Sequence, residues 1–248
     1  MNASQILQRD EIAAILAHLA GHCKQGKRAS PSWWQTRIVF RLSCCCGLRR
    51  KEIGGLNLGD LITTGPRPCI HVRKAITKGR TGKRKARTVP LWIDAGTLGD
   101  LQEWVAMRRG QGAGPGEPLL CPQHPLRSLA RLHLGALQHR WQTAVAVLGA
   151  ERAWQVGGIH CGRHSFASHC LDAGHSLVAV RDWLGHSSIN MTSRYAHILP
   201  REHVPDVFGN LQAAAPAVPA RRRQGHPSLR AQPPAAAEAD TSETRLAA

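Results

Sequence analysis

Tyr195 is the single tyrosine in a chain of 248 residues that also holds seven tryptophans and three phenylalanines. Other residue types therefore supply the aromatic packing, and the phenol at the end of LGHSSINMTSRY, residues 184–195, invites a chemical explanation. A tyrosine hydroxyl can act as a nucleophile and form a covalent intermediate. We therefore interpret Tyr195 as a candidate nucleophile, with a half-buried packing residue as the alternative.

His160 and Arg163 lie three residues apart in GGIHCGRHSFASHC. The glycine pair before His160 and the apolar residues that return from Phe166 onward predict a helix start at or near His160. Residues three apart share a helix face, and the N–H groups of the first turn favour an anion there. An imidazole and a guanidinium at this place can bind and protonate a phosphodiester, although such a pair also occurs on ordinary surfaces.

Two further short segments carry residues suited to phosphate chemistry. GLRRKE, residues 47–52, places Arg49 just past a predicted helix end, with Glu52 one turn later and able to pair with it or hold it in place. LGHSS places His186 after a helix that Gly185 ends. Together with Tyr195, these residues form a candidate site.

The formal charge is +17, from 33 basic and 16 acidic residues. A field of this size attracts polyanions, so nucleic acid is the leading expected partner. A membrane surface is the rival, but no apolar run approaches the roughly 20 residues that a spanning helix needs. The N-terminus lacks the order of a signal peptide, so we expect a cytoplasmic protein.

The segment from Arg73 to Arg87 contains eight basic residues and no acidic one. An unopposed cationic ribbon fits a phosphate backbone or groove, whereas the alternative is a solvated hairpin that carries charge for solubility. The predicted DNA-binding residues are Arg73, Lys74, Arg80, Lys83, Arg84, Lys85 and Arg87.

The eight cysteines are interpreted as thiols. Consecutive helix residues point about 100° apart, so Cys44–Cys46 are expected to be small packing side chains rather than ligands of one metal. A zinc site is the minor alternative for four residues of the His160 segment, which has no CxxC pair to support it. These four residues are Cys161, His164, His169 and Cys170. No cofactor is therefore expected.

Apolar spacing predicts a mainly α fold with one small antiparallel sheet. The strands are expected at 69–77 and 85–92, as a hairpin around the turn KGRTGKR. Residues 1–212 are predicted to form one domain, and 213–248 to form a disordered tail rich in Ala, Pro and Arg. The predicted helices are 8–21, a second that contains Trp34 and stops at Gly47, 49–56, 97–109, 128–149, 160–173, 176–184 and 188–197.

Four segments resemble the catalytic domain of the tyrosine recombinases, the phage integrase family, over about residues 8–200. They are GLRRKEI, TKGRTGKRKARTVPL, IHCGRHSFASHCLDAG and VRDWLGHSSINMTSRYAHI. The resemblance implies a site-specific DNA recombinase in which Arg49 and Arg163 clamp the scissile phosphate. It also implies that His160 assists proton transfer at the nucleophile, that His186 donates to a non-bridging oxygen, and that Tyr195 forms a 3′-phosphotyrosyl link without metal or ATP.

The family's hairpin lysine is implied to act as general acid toward the 5′-oxygen leaving group. The turn in this chain is several residues longer than is usual in the family. Lys78, at the end of the first predicted strand, is therefore the choice, and Lys83 and Lys85 are the other candidates.

The family also implies an assembly: a homotetramer on paired sites, with strands exchanged through a Holliday junction and residues 197–212 handed to a neighbour. The chain resembles short family members that lack an N-terminal core-binding domain, which suggests help from an accessory DNA-binding protein. The outcomes range over integration and excision of a mobile element, inversion, and dimer resolution. The alternatives are a type IB topoisomerase and a non-catalytic DNA-binding protein on the same fold.

Overall fold

The first helix shows how apolar spacing sets the fold. The computed structural model describes residues 3–24, 31–77, 85–122 and 130–195. Ile15 and Leu19 on the first helix are fully buried. Acidic residues in its first turn, Asp10 and Glu11, suit the positive end of the helix dipole. The α-helices are α1 (Arg9–Lys24), α2 (Pro31–Phe40), α3 (Arg50–Gly55), α4 (Ala95–Gly110), α5 (Leu134–Val145), α6 (Ala150–Val156), α7 (His160–Asp172), α8 (Leu177–Leu184) and α9 (Asn190–Ser193).

Helix α2 continues directly into a π-helical segment, Arg41–Cys45, before the chain turns at Gly47. Ile38, Val39 and Leu42 are fully buried along this stretch, as the apolar pattern predicts. Gly47 has φ of 64°, a left-handed conformation that ends helices and that favours glycine. The predicted helix end at Gly47 is confirmed, and it presents Arg49 at the start of α3.

The sheet has three antiparallel strands in the order β1 (Leu61–Ile62), β2 (Cys69–Val72) and β3 (Arg87–Pro90). Ile70 pairs with Val89 in the register of β2 and β3, and both side chains are fully buried. The predicted pairing of the hairpin strands is confirmed, but the strands are shorter because Lys74–Ile76 forms a 3-10 turn. Strand β1 was not predicted, since two residues are too few to show a period.

The predicted helix 128–149 is wrong in its bounds. Helix α5 ends at Val145, a short 3-10 turn follows, and Gly149 with φ of 88° leads into α6, which the sequence pattern did not predict. Helix α4 begins earlier than predicted because the carboxylate of Asp94 accepts hydrogen bonds from the backbone N–H groups of Gly96 and Thr97.

Two apolar clusters hold these elements together. The larger cluster joins α1, α2, the sheet, α4 and α5, with Phe40 stacked on Trp141 at a centroid distance of 5.4 Å. The smaller cluster joins α7 and α8 through Phe166, Val180 and Leu184, and it includes Tyr195. Tyr195 therefore belongs to a packed layer, which restricts where its hydroxyl can lie.

The described residues all fall within one compact unit, Met1–Glu202. The predicted domain boundary at 212 and the tail 213–248 lie outside the described residues. Among the helices of the described ranges, none is both long enough and apolar enough to cross a membrane.

Candidate active site

Arg49 and Glu52 are joined at the start of α3. Arg49 precedes the helix, and its backbone N–H donates to Glu52 Oε2 at 2.8 Å. Its guanidinium Nη1 also donates to Glu52 Oε1 at 3.1 Å. The predicted pairing of Glu52 with Arg49 is confirmed, and it fixes the direction of the Arg49 side chain.

Glu52 is fully buried and is bound more strongly by Arg87 than by Arg49. Arg87 Nη1 and Nη2 donate to the two Glu52 oxygens at 2.8 and 2.7 Å, and Arg87 Nε donates to the carbonyl of Trp183 at 2.7 Å. Burial by itself raises the pKa of Glu52, but the hydrogen bonds and charge of Arg87, with those of Arg49, outweigh it and lower the pKa. Glu52 is therefore an ionised carboxylate inside the protein.

The segment from Arg73 to Arg87 was expected to have no acidic partner. In the structure, the arginine at each end of this segment is paired with a carboxylate. Arg87 is enclosed against Glu52, with 7% of its side chain exposed. Arg73 Nε donates to Asp60 at 2.7 Å, and its Nη2 donates to the carbonyl of Gly55 at 2.8 Å. The Arg87 guanidinium therefore acts inside the fold. The Arg73 side chain is paired with Asp60 but is still 35% exposed, so its contact with DNA stays a prediction. Lys74 and Lys85 are exposed, which leaves them available to a polyanion.

Arg163 is buried on α7, with 4% of the residue exposed. Its Nη1 donates to the carbonyl of Gly47 at 2.6 Å, and its Nη2 donates to the carbonyl of Leu184 at 2.5 Å. Burial, followed by the positive charge of Arg49, lowers the pKa of Arg163 to about 9. Arg163 thus connects α7 with the turn before Arg49 and with the end of α8, and it brings the two predicted phosphate-binding arginines into one region.

His186 follows the left-handed Gly185 that ends α8, as predicted. His186 Nδ1 lies 2.9 Å from Thr192 Oγ1, which is fully buried. Burial, together with the charges of Arg163, Arg49 and Arg87, lowers the pKa of His186 to about 4. The imidazole is therefore neutral near pH 7, and it can donate one hydrogen bond from the nitrogen that carries its proton.

Tyr195 lies against two histidines, His186 and His164. Its ring is parallel to that of His186 within 13°, with centroids 6.3 Å apart, and its hydroxyl lies 2.8 Å from His164 Nδ1. Burial raises the pKa of Tyr195, and the charges of Arg163, Arg49 and Arg194 offset part of that effect. The sequence pattern indicated His164 only as a zinc candidate. Its position four residues after His160, on the same helix face, was a signal that it belongs to this site.

His160 is the first residue of α7 and is exposed, in agreement with the predicted helix start. Its charge contributes to lowering the pKa of His164, so the two histidines face a common region. Of the three candidate lysines, Lys78 and Lys83 lie outside the described residues, as do Arg80 and Arg84. The choice of Lys78 as general acid stays a prediction.

The site is well suited to hold a phosphate. One buried carboxylate, Glu52, stands against the guanidiniums of Arg49, Arg87 and Arg163, so the local charge is positive. Across the described ranges, no group of three or more His, Cys, Asp and Glu side chains is arranged to hold a metal ion. Of the four residues considered for zinc, His169 instead lies with Nε2 at 2.7 Å from the carbonyl of Leu7.

Comparisons with known proteins identify the family of this chain. The model of the phage integrase family matches residues 5–202. The tyrosine recombinase XerC of Rhodospirillum centenum is 33% identical over 197 residues, which are 78% of this chain and 49% of that protein. XerC of Pseudomonas entomophila is 32% identical over 179 residues, or 72% of this chain and 53% of that protein. The chain thus spans about half the length of these relatives.

Solved structures show the same fold. The XerA recombinase has a TM-score of 0.59 at 18% identity, with 77% of this chain and 60% of that chain covered. XerH bound to its palindromic difH substrate has a TM-score of 0.57 at 21% identity, with 85% and 52% covered. The Tn1549 transposon integrase in complex with transposon right-end DNA has a TM-score of 0.54 at 18% identity, with 84% and 64% covered. The mainly α fold with a small antiparallel sheet is confirmed, and the chain belongs to the phage integrase family.

Proposed function

We propose that this protein is a site-specific recombinase that cuts and rejoins double-stranded DNA through a phosphotyrosyl intermediate. The observation that carries the proposal is the convergence of Arg49, Arg163 and His186 on Tyr195. The charges of Arg163 and Arg49 both lower the pKa of Tyr195 against the larger effect of burial, and the His186 ring lies parallel to the phenol ring.

The proposed reaction begins with a phosphodiester held by Arg49 and Arg163. Arg163 has five N–H donors, and the carbonyls of Gly47 and Leu184 bind through two of its nitrogens, so further donors remain for phosphate oxygens. Tyr195 Oη attacks phosphorus, the Oη–P bond forms, and the bond to the 5′-oxygen breaks. Losing one such donor to a transition state typically costs roughly 3 to 4 kcal/mol of barrier.

Proton transfers complete the cleavage step. His160 assists the attack by accepting the phenol proton, and the departing 5′-oxygen gains a proton from the hairpin lysine, for which Lys78 is our choice. Attack of a 5′-hydroxyl from another strand reverses these events and releases Tyr195. Because the phosphotyrosyl link conserves the energy of the phosphodiester, the cycle needs no ATP.

The proposed partners follow from charge and from the relatives. A net charge of +17 favours a DNA backbone, and structures of XerH and of the Tn1549 integrase contain DNA. We propose a homotetramer on paired sites, helped by an accessory DNA-binding protein, acting in the cytoplasm on nucleoid or plasmid DNA. The reaction outcome is integration and excision, inversion, or dimer resolution.

Covalent trapping tests the function and identifies the target site in the same experiment. Wild type and the variants Tyr195→Phe and Trp33→Phe are expressed in cells that carry the DNA surrounding the gene. Detergent denaturation then traps protein-linked DNA, whose ends are sequenced. We expect adducts at one discrete sequence with wild type and with the aromatic control Trp33→Phe, and none with Tyr195→Phe.

The other outcomes would overturn the proposal. Adducts scattered over unrelated sequences would indicate a type IB topoisomerase. Equal DNA binding by wild type and Tyr195→Phe, with no adduct from either protein, would indicate a non-catalytic DNA-binding protein.

A further inference from the structure

The Tyr195 hydroxyl has a specific partner outside the residues assigned above to phosphate chemistry. Its oxygen lies 2.8 Å from Nδ1 of His164. His164 follows Arg163 directly on α7, and it is four residues after His160, so one helix carries all three side chains. The nucleophile is therefore linked to the element that supplies part of the phosphate clamp.

The His164 imidazole is neutral under physiological conditions. Burial, followed by the charges of His160 and Arg163, lowers the pKa of His164 to about 4. A neutral imidazole holds one proton, and when that proton is on Nε2 the Nδ1 atom can only accept. The phenol then donates to Nδ1. A group with so low a pKa is a weak base, which favours orientation of the phenol over removal of its proton.

The phenol ring is also restrained at its faces and its base. The His186 ring lies parallel to it, and the ring belongs to the apolar cluster that contains Phe166 and Leu184. Packing of the ring leaves mainly small movements of the hydroxyl end of the Tyr195 side chain. The contact to His164 acts on that end, where the reacting oxygen is.

We propose that His164 is the positioning residue of Tyr195: its Nδ1 accepts the phenol hydrogen bond and holds the nucleophilic oxygen beside Arg49 and Arg163. This role rests on the proposed function, because it assumes that Tyr195 attacks phosphorus. The hydrogen bond itself is independent of that assumption. It can be tested in the free protein, before any DNA is added.

The single tyrosine makes the first test unambiguous. With tyrosine labelled by carbon-13 at Cζ, the full chain gives one resonance, whose titration reports the pKa of Tyr195. A bond to an unprotonated Nδ1 favours the neutral phenol, so we expect a lower Tyr195 pKa in His164→Leu than in wild type. His169→Leu on the same helix is the matched control and leaves the pKa unchanged. Circular dichroism checks that each variant stays folded over the titration.

An unchanged or higher Tyr195 pKa in His164→Leu would overturn the proposed hydrogen bond. This result would leave the recombinase function intact, because that function depends on the covalent adduct. The converse result is also distinguishable. If wild type forms no adducts but His164→Leu lowers the Tyr195 pKa, the recombinase function is wrong and the hydrogen bond between Tyr195 and His164 stands.

The second test measures the cleavage rate on the duplex recovered by covalent trapping. We expect His164→Leu to slow adduct formation roughly tenfold, with DNA affinity unchanged, because one orienting hydrogen bond is lost. His164→Asn supplies an amide oxygen as acceptor and is expected to recover most of the rate. If His164→Asn is as slow as His164→Leu, or if both lose the pH dependence of cleavage seen in wild type, His164 acts as a base and the positioning role is wrong.

Discussion

Arg87 binds Glu52 through two hydrogen bonds of 2.8 and 2.7 Å, and this buried ion pair joins β3 to α3. Arg87 also donates to the carbonyl of Trp183, so α8 is attached to the same point. Strand β3 and the helices that adjoin Arg49 and His186 are thus tied to one carboxylate, and Arg163 Nη1 on α7 lies 4.0 Å from the same group. Glu52 therefore determines the relative positions of groups that come from distant parts of the sequence.

Replacement of Glu52 by Gln should destabilise the fold strongly. The buried guanidinium of Arg87 would lose its counter-charge, and breaking a buried pair in this way typically costs about 3 to 5 kcal/mol. Urea unfolding measures the change in free energy. Glu103→Gln, an exposed site on α4, is the control and should change stability by less than about 0.5 kcal/mol. A Glu52→Gln protein as stable as the control would contradict the role given to this carboxylate.

The same carboxylate predicts a dependence of stability on acid. The folded state lowers the pKa of Glu52 below its ordinary value of 4.5, so its contribution is fully present above pH 4.5. That contribution is lost as the pH falls through the lower, folded-state pKa. Wild type should therefore lose stability steeply below pH 4.5, and Glu52→Gln should show a shallower slope. Parallel slopes in unfolding experiments across this acid range would argue against an ionised Glu52.

Gly47 should not tolerate a side chain. Its φ is 64°, and a Cβ would lie 2.5 Å from Phe166 Cδ1 and 2.9 Å from Leu184 Cδ2. Gly47→Ala should therefore lose about 2 to 4 kcal/mol, from backbone strain and overpacking together. Gly21→Ala, within α1 and with no atom within 4 Å of the added Cβ, should instead gain about 0.5 to 1 kcal/mol. Opposite signs for the two substitutions in thermal unfolding are the expected result.

Thr192 should influence cleavage through His186. Thr192→Val keeps the shape of this fully buried side chain but removes the hydroxyl that lies 2.9 Å from His186 Nδ1. We expect adduct formation to slow roughly tenfold, since His186 loses the contact that orients its ring. Thr143→Val, which removes a hydroxyl from an exposed part of α5, should leave the rate as in wild type. Equal rates for both variants would show that His186 is oriented by packing alone.

Cys45 should be the most reactive of the eight thiols. The other seven are buried, whereas Cys45 is partly exposed and lines a cavity of about 490 Å³ with Cys44 and Cys170. A hydrogen bond from Cys44, together with the Arg41 guanidinium 3.9 Å away, lowers the pKa of Cys45. Brief treatment with iodoacetamide, followed by peptide fragmentation, should locate the first label at Cys45. First labelling at Cys69 or Cys161 would contradict this ranking.

Local chemistry explains what the sequence predicted well. The left-handed glycines at 47 and 185 end helices, and the apolar spacing of α1 and α2 buries the expected faces. Arg49 and His186 are placed by these helix ends and His160 by the start of α7, so their positions follow from neighbours within a few residues. The bounds of α5 and the existence of α6 were missed because Gly149 interrupts a pattern that otherwise looks continuous.

The sequence by itself determined the family, the helix and strand types, and the residues most suited to phosphate chemistry, because these depend on residue identity and short spacing. Tertiary structure alone decided which charges meet. Arg87 and Glu52 are 35 residues apart, and His164 and Tyr195 are 31 apart, so no local pattern pairs them. Arg87 looked like a DNA contact because its partner comes from a distant helix. Folding brings that carboxylate to it, and burial makes the pair an internal support of the site rather than part of its surface.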